Sequence, residues 1–231
     1  MHFDKIADAL EEQFDLLIPD FPGHGKSAEP PEPWGVDSFA DCIYALLKDQ
    51  DFLPCSLIAH SFGGRVAIVL STEHPADFEK LVFTGCAGIS PKKTEAQKKK
   101  AAQYQQMKRA IQRIEKVPFL RKPAQNMMNA LRDKYGSSDY KALNENMRAT
   151  FVKVVNQDLS PLLAKIQSPV LLIWGAQDTE TPLWMGETME AQIPDAGLVV
   201  FENDDHFAYL REWPRFVAIV KTFFLDKGEH S

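Results

Sequence analysis

Five short apolar runs are spaced along the chain, separated by longer stretches that mix apolar and polar residues. Within each run the apolar residues follow one another without polar alternation, which is typical of strands buried on both faces of a parallel sheet. Such strands, alternating with helices, predict an α/β fold with a doubly wound, mostly parallel sheet. The predicted strands are residues 14–19, 56–59, 81–84, 170–174 and 198–201.

The stretches between the runs carry the spacing of helices. An amphipathic helix is predicted at the start of the chain, where apolar residues recur at intervals of three or four: Phe3, Ile6, Leu10 and Phe14. Two further helices are predicted over residues 38–48 and 63–72. Helices between consecutive strands are what a parallel sheet needs for its crossovers.

A much longer connection separates the strand at 81–84 from the strand at 170–174. It runs over residues 85–169, most of which have a helical pattern, whereas crossovers are usually far shorter. The excess predicts a helical subdomain inserted into the sheet-bearing domain. We therefore expect a core formed by residues 1–88 and 160–231 and an insertion over residues 89–159.

Composition and charge narrow the class of protein. A chain of 231 residues with 45% apolar residues can bury the core of one domain, and its net charge of −6 argues against nucleic acid or anionic membranes as partners. The three cysteines have no metal-like spacing and are expected as buried thiols. No signal peptide or run of roughly 18 apolar residues is found, so we expect a cytoplasmic protein.

The segment Ala59-His60-Ser61-Phe62-Gly63 lies between a predicted strand and a predicted helix. A sharp turn in this context exposes a nucleophilic hydroxyl and strains its backbone, and it needs small residues two positions before and after the nucleophile. Ala59 and Gly63 meet that demand. Ser61 is therefore the candidate nucleophile, and an ordinary serine in a turn is the alternative.

A serine hydroxyl is a weak nucleophile at neutral pH, so a histidine must accept its proton and an acid must orient that histidine. In hydrolases with this turn the chain order is nucleophile, acid, histidine. Asp178 and His206 each follow a predicted strand, at the sheet edge where doubly wound folds place their sites. We predict a catalytic triad of Ser61, Asp178 and His206. The acids left as alternatives to Asp178 are Glu180, Asp204 and Asp205.

These segments together resemble the α/β-hydrolase fold superfamily, and most of all its small serine hydrolases with a helical cap. The resemblance rests on residues 20–27 (DFPGHGKS), the Ser61 turn, residues 174–178 (WGAQD) and His206-Phe207, in this order. That branch includes esterases, carbon–carbon bond hydrolases and cofactor-free haloperoxidases. The resemblance implies that residues 89–159 form the cap and that no metal or organic cofactor is needed. Four apolar residues of the insertion could line the site or pack the cap itself: Phe119, Met127, Met128 and Leu131.

The chain departs from this family at its start. Members normally begin with additional strands, one of which ends in a His-Gly loop that donates an oxyanion-hole N–H. Here we expect these N-terminal strands to be absent, and the second donor to be kept as the backbone N–H of Phe62. Losing one donor typically costs about 10²–10³ in rate.

In the family's strand order the missing strand lies between the strands at 14–19 and 56–59, so the resemblance implies a gap in the sheet. Three accounts stay open: direct pairing of the two neighbours, a strand supplied by another chain, or a sequence that is a piece of a longer product. If another copy of this chain supplies the strand, the protein is a homo-oligomer.

The function predicted from these observations is hydrolysis of a small-molecule carboxylic ester or thioester through an acyl-enzyme. A serine at the nucleophile position of the Ser61 turn argues against the epoxide hydrolase and haloalkane dehalogenase branches, whose nucleophile is a carboxylate. The enzymatic alternative is a carbon–carbon bond hydrolase of the same fold. The alternative from another class is a catalytically impaired protein that only binds a small ligand.

Overall fold

The computed structural model describes residues 3–90, 95–135 and 143–226. In these ranges helices alternate with parallel strands, as the apolar pattern predicts. The elements, in chain order, are α1 (Asp4–Leu10), α2 (Val36–Asp49), β1 (Cys55–His60), α3 (Phe62–Glu73), β2 (Phe78–Thr84), α4 (Glu95–Glu115), α5 (Arg121–Tyr135), α6 (Glu145–Asn156), α7 (Ser160–Leu163), β3 (Val170–Gly175), α8 (Leu183–Gln192), β4 (Ala196–Phe201), α9 (Ala208–Arg211) and α10 (Trp213–Leu225).

The four strands form one parallel sheet in the order β1-β2-β3-β4. One row of the register runs from Ala59 to Phe83, from Phe83 to Leu172 and from Leu172 to Leu198. All four strands were predicted as continuous apolar runs, and the prediction of an α/β fold with a parallel sheet is confirmed.

The predicted strand over residues 14–19 is wrong. Residues 15–20 have no regular secondary structure, and within the described chain β1 pairs with β2 alone. A cavity of about 610 Å³ is lined on one side by β1 and on another by residues 14–19. A strand requires a ladder of hydrogen bonds to a neighbouring strand. Because the cavity separates residues 14–19 from β1, this apolar run has no neighbour with which to form one. The structure therefore does not show direct pairing across the predicted gap.

Helices cover both faces of the sheet, and adjacent residues of one strand supply the two cores. Phe83 of β2 belongs to a cluster that includes Phe39 of α2 and residues of α3. Val82, next to it, belongs to a second cluster with Ile6 of α1 and Phe216 of α10. Because side chains alternate between the faces of a strand, a strand buried on both sides must be apolar throughout.

The chain divides into two compact units, one formed by residues 1–90 and 153–231 and the other by residues 91–152. The sheet and its covering helices belong to the first unit. The second has a small apolar core of its own, which includes Met128 and Leu131, whereas Phe119 is 81% exposed and Met127 49%. Over the described ranges, none of the helices has the length and apolarity required to cross a bilayer.

Candidate active site

The carboxyl ends of the four parallel strands carry the residues of the candidate site. Ser61 directly follows β1, Gly85 follows β2, Asp178 lies three residues beyond β3, and His206 lies five residues beyond β4. Strands that run parallel end at the same edge of a sheet, so four segments far apart in sequence are brought to one place.

Ser61 occupies the sharp turn between β1 and α3. Its backbone has φ 50° and ψ −112°, in a region that residues other than glycine rarely adopt. Its N–H donates to the carbonyl of Thr84 at 3.3 Å, and its carbonyl accepts from the N–H groups of Gly64 at 3.1 Å and Ala87 at 3.0 Å. These backbone hydrogen bonds hold the strained turn in place, as such a conformation requires.

The steric demand around this turn falls on Gly64 more than on Gly63, contrary to expectation. A Cβ at Gly63 would meet only ordinary contacts, with the Cβ of Ala59 at 3.8 Å. A Cβ at Gly64 would lie 2.2 Å from the sulfur of Cys86, which is fully buried. The close approach is thus between the start of α3 and the segment after β2, a contact that the local pattern does not encode.

Asp178 and His206 form a buried, hydrogen-bonded pair. Asp178 Oδ2 lies 2.8 Å from His206 Nδ1, and the exposed fractions of the two side chains are 0% and 5%. Burial opposes ionisation of Asp178, but its hydrogen bonds with His206 and Thr181 hold its pKa below the ordinary value. Burial likewise lowers the pKa of His206, yet the hydrogen bond and charge of Asp178, with the charges of Glu180 and Asp205, raise it overall. The pair therefore stabilises a charged imidazolium.

Thr181 completes the surroundings of this pair and is not among the residues predicted from the sequence. Its Oγ1 lies 2.8 Å from Asp178 Oδ2, 2.9 Å from the carbonyl oxygen of Gly85 and 3.1 Å from His206 Nδ1. The backbone N–H groups of Glu180 and Thr181 both donate to Asp178 Oδ1 at 2.8 Å. A threonine three residues after an aspartate is the pattern of a side-chain-capped turn, and it is the signal that could have indicated Thr181.

Gly85 leaves the room that the pair needs. Its φ is 50°, and a Cβ there would lie 3.1 Å from His206 Nδ1 and 3.2 Å from Asp178 Oδ2. Both the backbone conformation and the tight approach favour glycine at this position.

Ser61 stands at the same sheet edge but does not engage the histidine. Within the described ranges its hydroxyl has no hydrogen-bond partner, and His206 Nε2 instead lies 3.6 Å from Oε2 of Glu180. Catalytic hydrogen bonds of this kind are often long without substrate and tighten when substrate is bound. The structure thus brings Asp178 and His206 together and leaves Ser61 beside them.

Two side chains near the Asp178–His206 pair, His60 and Asp205, have different partners. His60 Nδ1 lies 2.9 Å from the carbonyl oxygen of Thr84, and its ring packs beside His206 with 4.5 Å between centroids. Asp205, one of the alternatives to Asp178, forms an ion pair with Arg211 at 2.6 Å. Neither arrangement offers the buried contact with His206 Nδ1 that Asp178 makes.

Phe62 is the first residue of α3, where a backbone N–H has no partner within the helix. In the part of the chain that the structure describes, no hydrogen-bond acceptor is found for this N–H. The Phe62 ring is held by an edge contact with Phe39 at 5.0 Å and by stacking on His24 at 5.7 Å. A fixed, unpartnered N–H at a helix start is suited to binding a developing negative charge.

A parallel sheet with a strained serine after one strand and a buried Asp–His pair after two others defines a class of hydrolytic enzyme. The family model described as alpha/beta hydrolase fold matches residues 2–212. The chain therefore belongs to the α/β-hydrolase fold family.

Individual relatives agree with this assignment. The chain is 27% identical to a pimeloyl-[acyl-carrier protein] methyl ester esterase of Neisseria meningitidis, over 96% of this chain and 87% of that protein. Among solved structures, it is similar to an esterase from Exiguobacterium antarcticum (TM-score 0.71, 20% identity, 96% of this chain and 86% of that one). It is also similar to a meta-cleavage product hydrolase from Pseudomonas fluorescens (TM-score 0.70, 19% identity, 98% and 85%). At these identities the two structures show the shared fold alone.

Proposed function

We propose that the protein is a serine hydrolase that cleaves small-molecule carboxylic esters or thioesters through an acyl-enzyme. The observation that carries the proposal is the 2.8 Å contact between buried Asp178 and His206, at the sheet edge that also bears the strained Ser61. A buried carboxylate on one imidazole nitrogen fixes the tautomer and leaves the other nitrogen to accept a proton.

The proposed reaction gives each residue of the site a defined role. Ser61 Oγ attacks the ester carbonyl while His206 Nε2 takes its proton, and Asp178 stabilises the resulting imidazolium. The Phe62 N–H donates to the oxyanion. His206 then protonates the leaving alcohol, and a water molecule that it activates releases the acid. Thr181 acts as a positioning residue, since its hydroxyl lies against Asp178 and its N–H donates to the same carboxylate.

The experiment that tests this proposal is labelling with a fluorophosphonate probe, which reacts with activated serines. We expect labelling of the wild-type protein and none of Ser61→Ala, with hydrolysis of p-nitrophenyl acetate lost in the same variant. Ser56→Ala is a matched control, because it removes a hydroxyl from β1 outside the proposed site. A folded wild-type protein that neither labels nor turns over esters would leave the ligand-binding alternative in its place.

The choice of substrate rests on the relatives. The Neisseria protein is named for a methyl ester carried on acyl carrier protein, so the methyl ester of pimelic acid, free and carrier-bound, is the first substrate to assay. Carbon–carbon bond hydrolysis is the second candidate, because the branch of the family that the sequence resembles includes hydrolases of that kind. Turnover of a meta-cleavage product with no turnover of any ester would favour that candidate.

The cap, the cellular location and the partners of the protein are part of the same proposal. Residues 89–159 would act as the cap, consistent with a compact unit over residues 91–152. A cytoplasmic location is supported by three cysteines that carry no disulfide. A small molecule, without nucleic acid or membrane, is the proposed partner, and sizing by light scattering would test for a homo-oligomer.

A further inference from the structure

The imidazole of His206 lies between two carboxylates of the same loop. Asp178 Oδ2 is 2.8 Å from Nδ1, and Glu180 Oε2 is 3.6 Å from Nε2. The two acids are two residues apart, and the Glu180 N–H donates to Asp178 Oδ1 at 2.8 Å, which fixes the backbone from which the Glu180 side chain extends. The loop after β3 therefore supplies two acids for one histidine: a buried inner acid, Asp178, and an exposed outer acid, Glu180.

The outer acid contacts the nitrogen that catalysis requires. In the proposed mechanism Nε2 must accept the Ser61 proton, but in the structure it faces Glu180, and the Ser61 hydroxyl has no hydrogen-bond partner in the described ranges. At 3.6 Å the contact between Nε2 and the Glu180 carboxylate is an ion pair and not a hydrogen bond, so its attraction exists only while the imidazole carries a charge. The arrangement thus favours the charged histidine, which cannot act as a base.

Other groups around His206 do not duplicate this contact. The Thr181 hydroxyl and Asp178 lie on the Nδ1 side, and Asp205 is paired with Arg211. His60 packs its ring beside His206 from β1. Glu180 is the described carboxylate that meets Nε2.

We propose that Glu180 is a positioning residue that holds the charged form of His206 in a resting state, in which Nε2 faces the Glu180 carboxylate instead of Ser61. This inference rests on the proposed serine hydrolase function. The Glu180 side chain is 64% exposed while that of His206 is 5% exposed, so the acid can turn into solvent without disturbing the buried pair. An ion pair with one well-exposed member is weak, so this contact can break at a small cost in free energy.

The consequence is a defined pH dependence. With Glu180 in place the charged histidine is stabilised, so a higher pH is needed to free the base. Removing the charge lowers the pKa of His206, and the acidic limb of kcat/KM moves to lower pH. At a pH on that limb, Glu180→Gln is expected to raise kcat/KM by about two- to fivefold, the range of a weak ion pair converted to a pKa difference. The plateau at high pH is expected to stay unchanged.

The experiment compares wild type, Glu180→Gln and the control Glu187→Gln, which removes the same charge from an exposed position of α8. The readouts are pH profiles of p-nitrophenyl acetate hydrolysis and NMR titration of the His206 ring. We expect a lower His206 pKa and a shifted acidic limb for Glu180→Gln alone. An unchanged His206 titration, a shift shared by Glu187→Gln, or loss of activity at every pH would overturn the inference.

The NMR readout separates this inference from the proposed function. If the protein neither labels at Ser61 nor hydrolyses esters, the proposed function fails, but the His206 titration still reports whether Glu180 holds the imidazole. A change in thermal stability with no change in that titration would mean a structural role only and would also overturn the inference.

Discussion

Gly175→Ala is the substitution for which the structure makes the sharpest prediction. Gly175 is the last residue of β3, three positions before Asp178. A Cβ built on it would lie 2.2 Å from the carbonyl oxygen of Asp205 and 2.4 Å from that of Asp204, both backbone atoms of the loop that ends in His206. The methyl group would therefore push directly on the segment that carries the proposed base.

The size of the effect follows from these distances. An ordinary contact begins at 3.4 Å, so the loop must move by about 1 Å. It cannot move freely, because the N–H of Gln177 donates to the carbonyl of Asp204 at 2.8 Å and the N–H of Ala176 to that of Phe201 at 3.0 Å. A displacement of roughly 1 Å at a reacting group typically costs about 10²-fold in rate, and overpacking costs about 1–3 kcal/mol of stability.

The assay is kcat/KM for p-nitrophenyl acetate together with urea unfolding. Gly197→Ala is the matched control, since Gly197 is an exposed residue of β4 and a Cβ there meets nothing within 4 Å. We expect Gly175→Ala to lose activity and stability by the amounts above and Gly197→Ala to keep both. If Gly175→Ala is fully folded and its kcat/KM is within twofold of wild type, the predicted displacement of the His206 loop is refuted.

Two further predictions concern Asp178. Asp178→Asn is expected to lower kcat by about 10³- to 10⁴-fold with little change in KM, because an amide does not hold the tautomer of His206 or its charge; a loss below tenfold would contradict this role. The pKa of Asp178 is depressed in the folded state, so its contribution to stability is present above the unfolded pKa of about 3.9 and is lost as pH falls through the folded pKa. Wild type should therefore lose more unfolding free energy than Asp178→Asn between about pH 6 and pH 2, measured by urea titration, and equal losses would count against the ionised pair.

Much of the fold was readable from local pattern. The continuously apolar runs indicate buried parallel strands, and all four strands of the sheet are among them. The candidate residues were found from their order and from their places after predicted strands, and the structure brings two of them, Asp178 and His206, to 2.8 Å. This works because the carboxyl ends of parallel strands share one edge, so position along the chain implies position in space.

Other features depend on contacts between segments that are distant in sequence, and only the tertiary structure decided them. Residues 14–19 have the composition of a strand but form none, because a strand exists only through a paired neighbour and a cavity lies there instead. The crowded glycine is Gly64 and not Gly63, because Cys86 from another segment approaches it. Thr181 and Glu180 reach opposite sides of the Asp178–His206 pair because the loop after β3 folds around it. Sequence by itself determined the class of fold and the chemistry available; packing decided which nitrogen of His206 meets which carboxylate, since side-chain direction is set by neighbours that the local pattern does not contain.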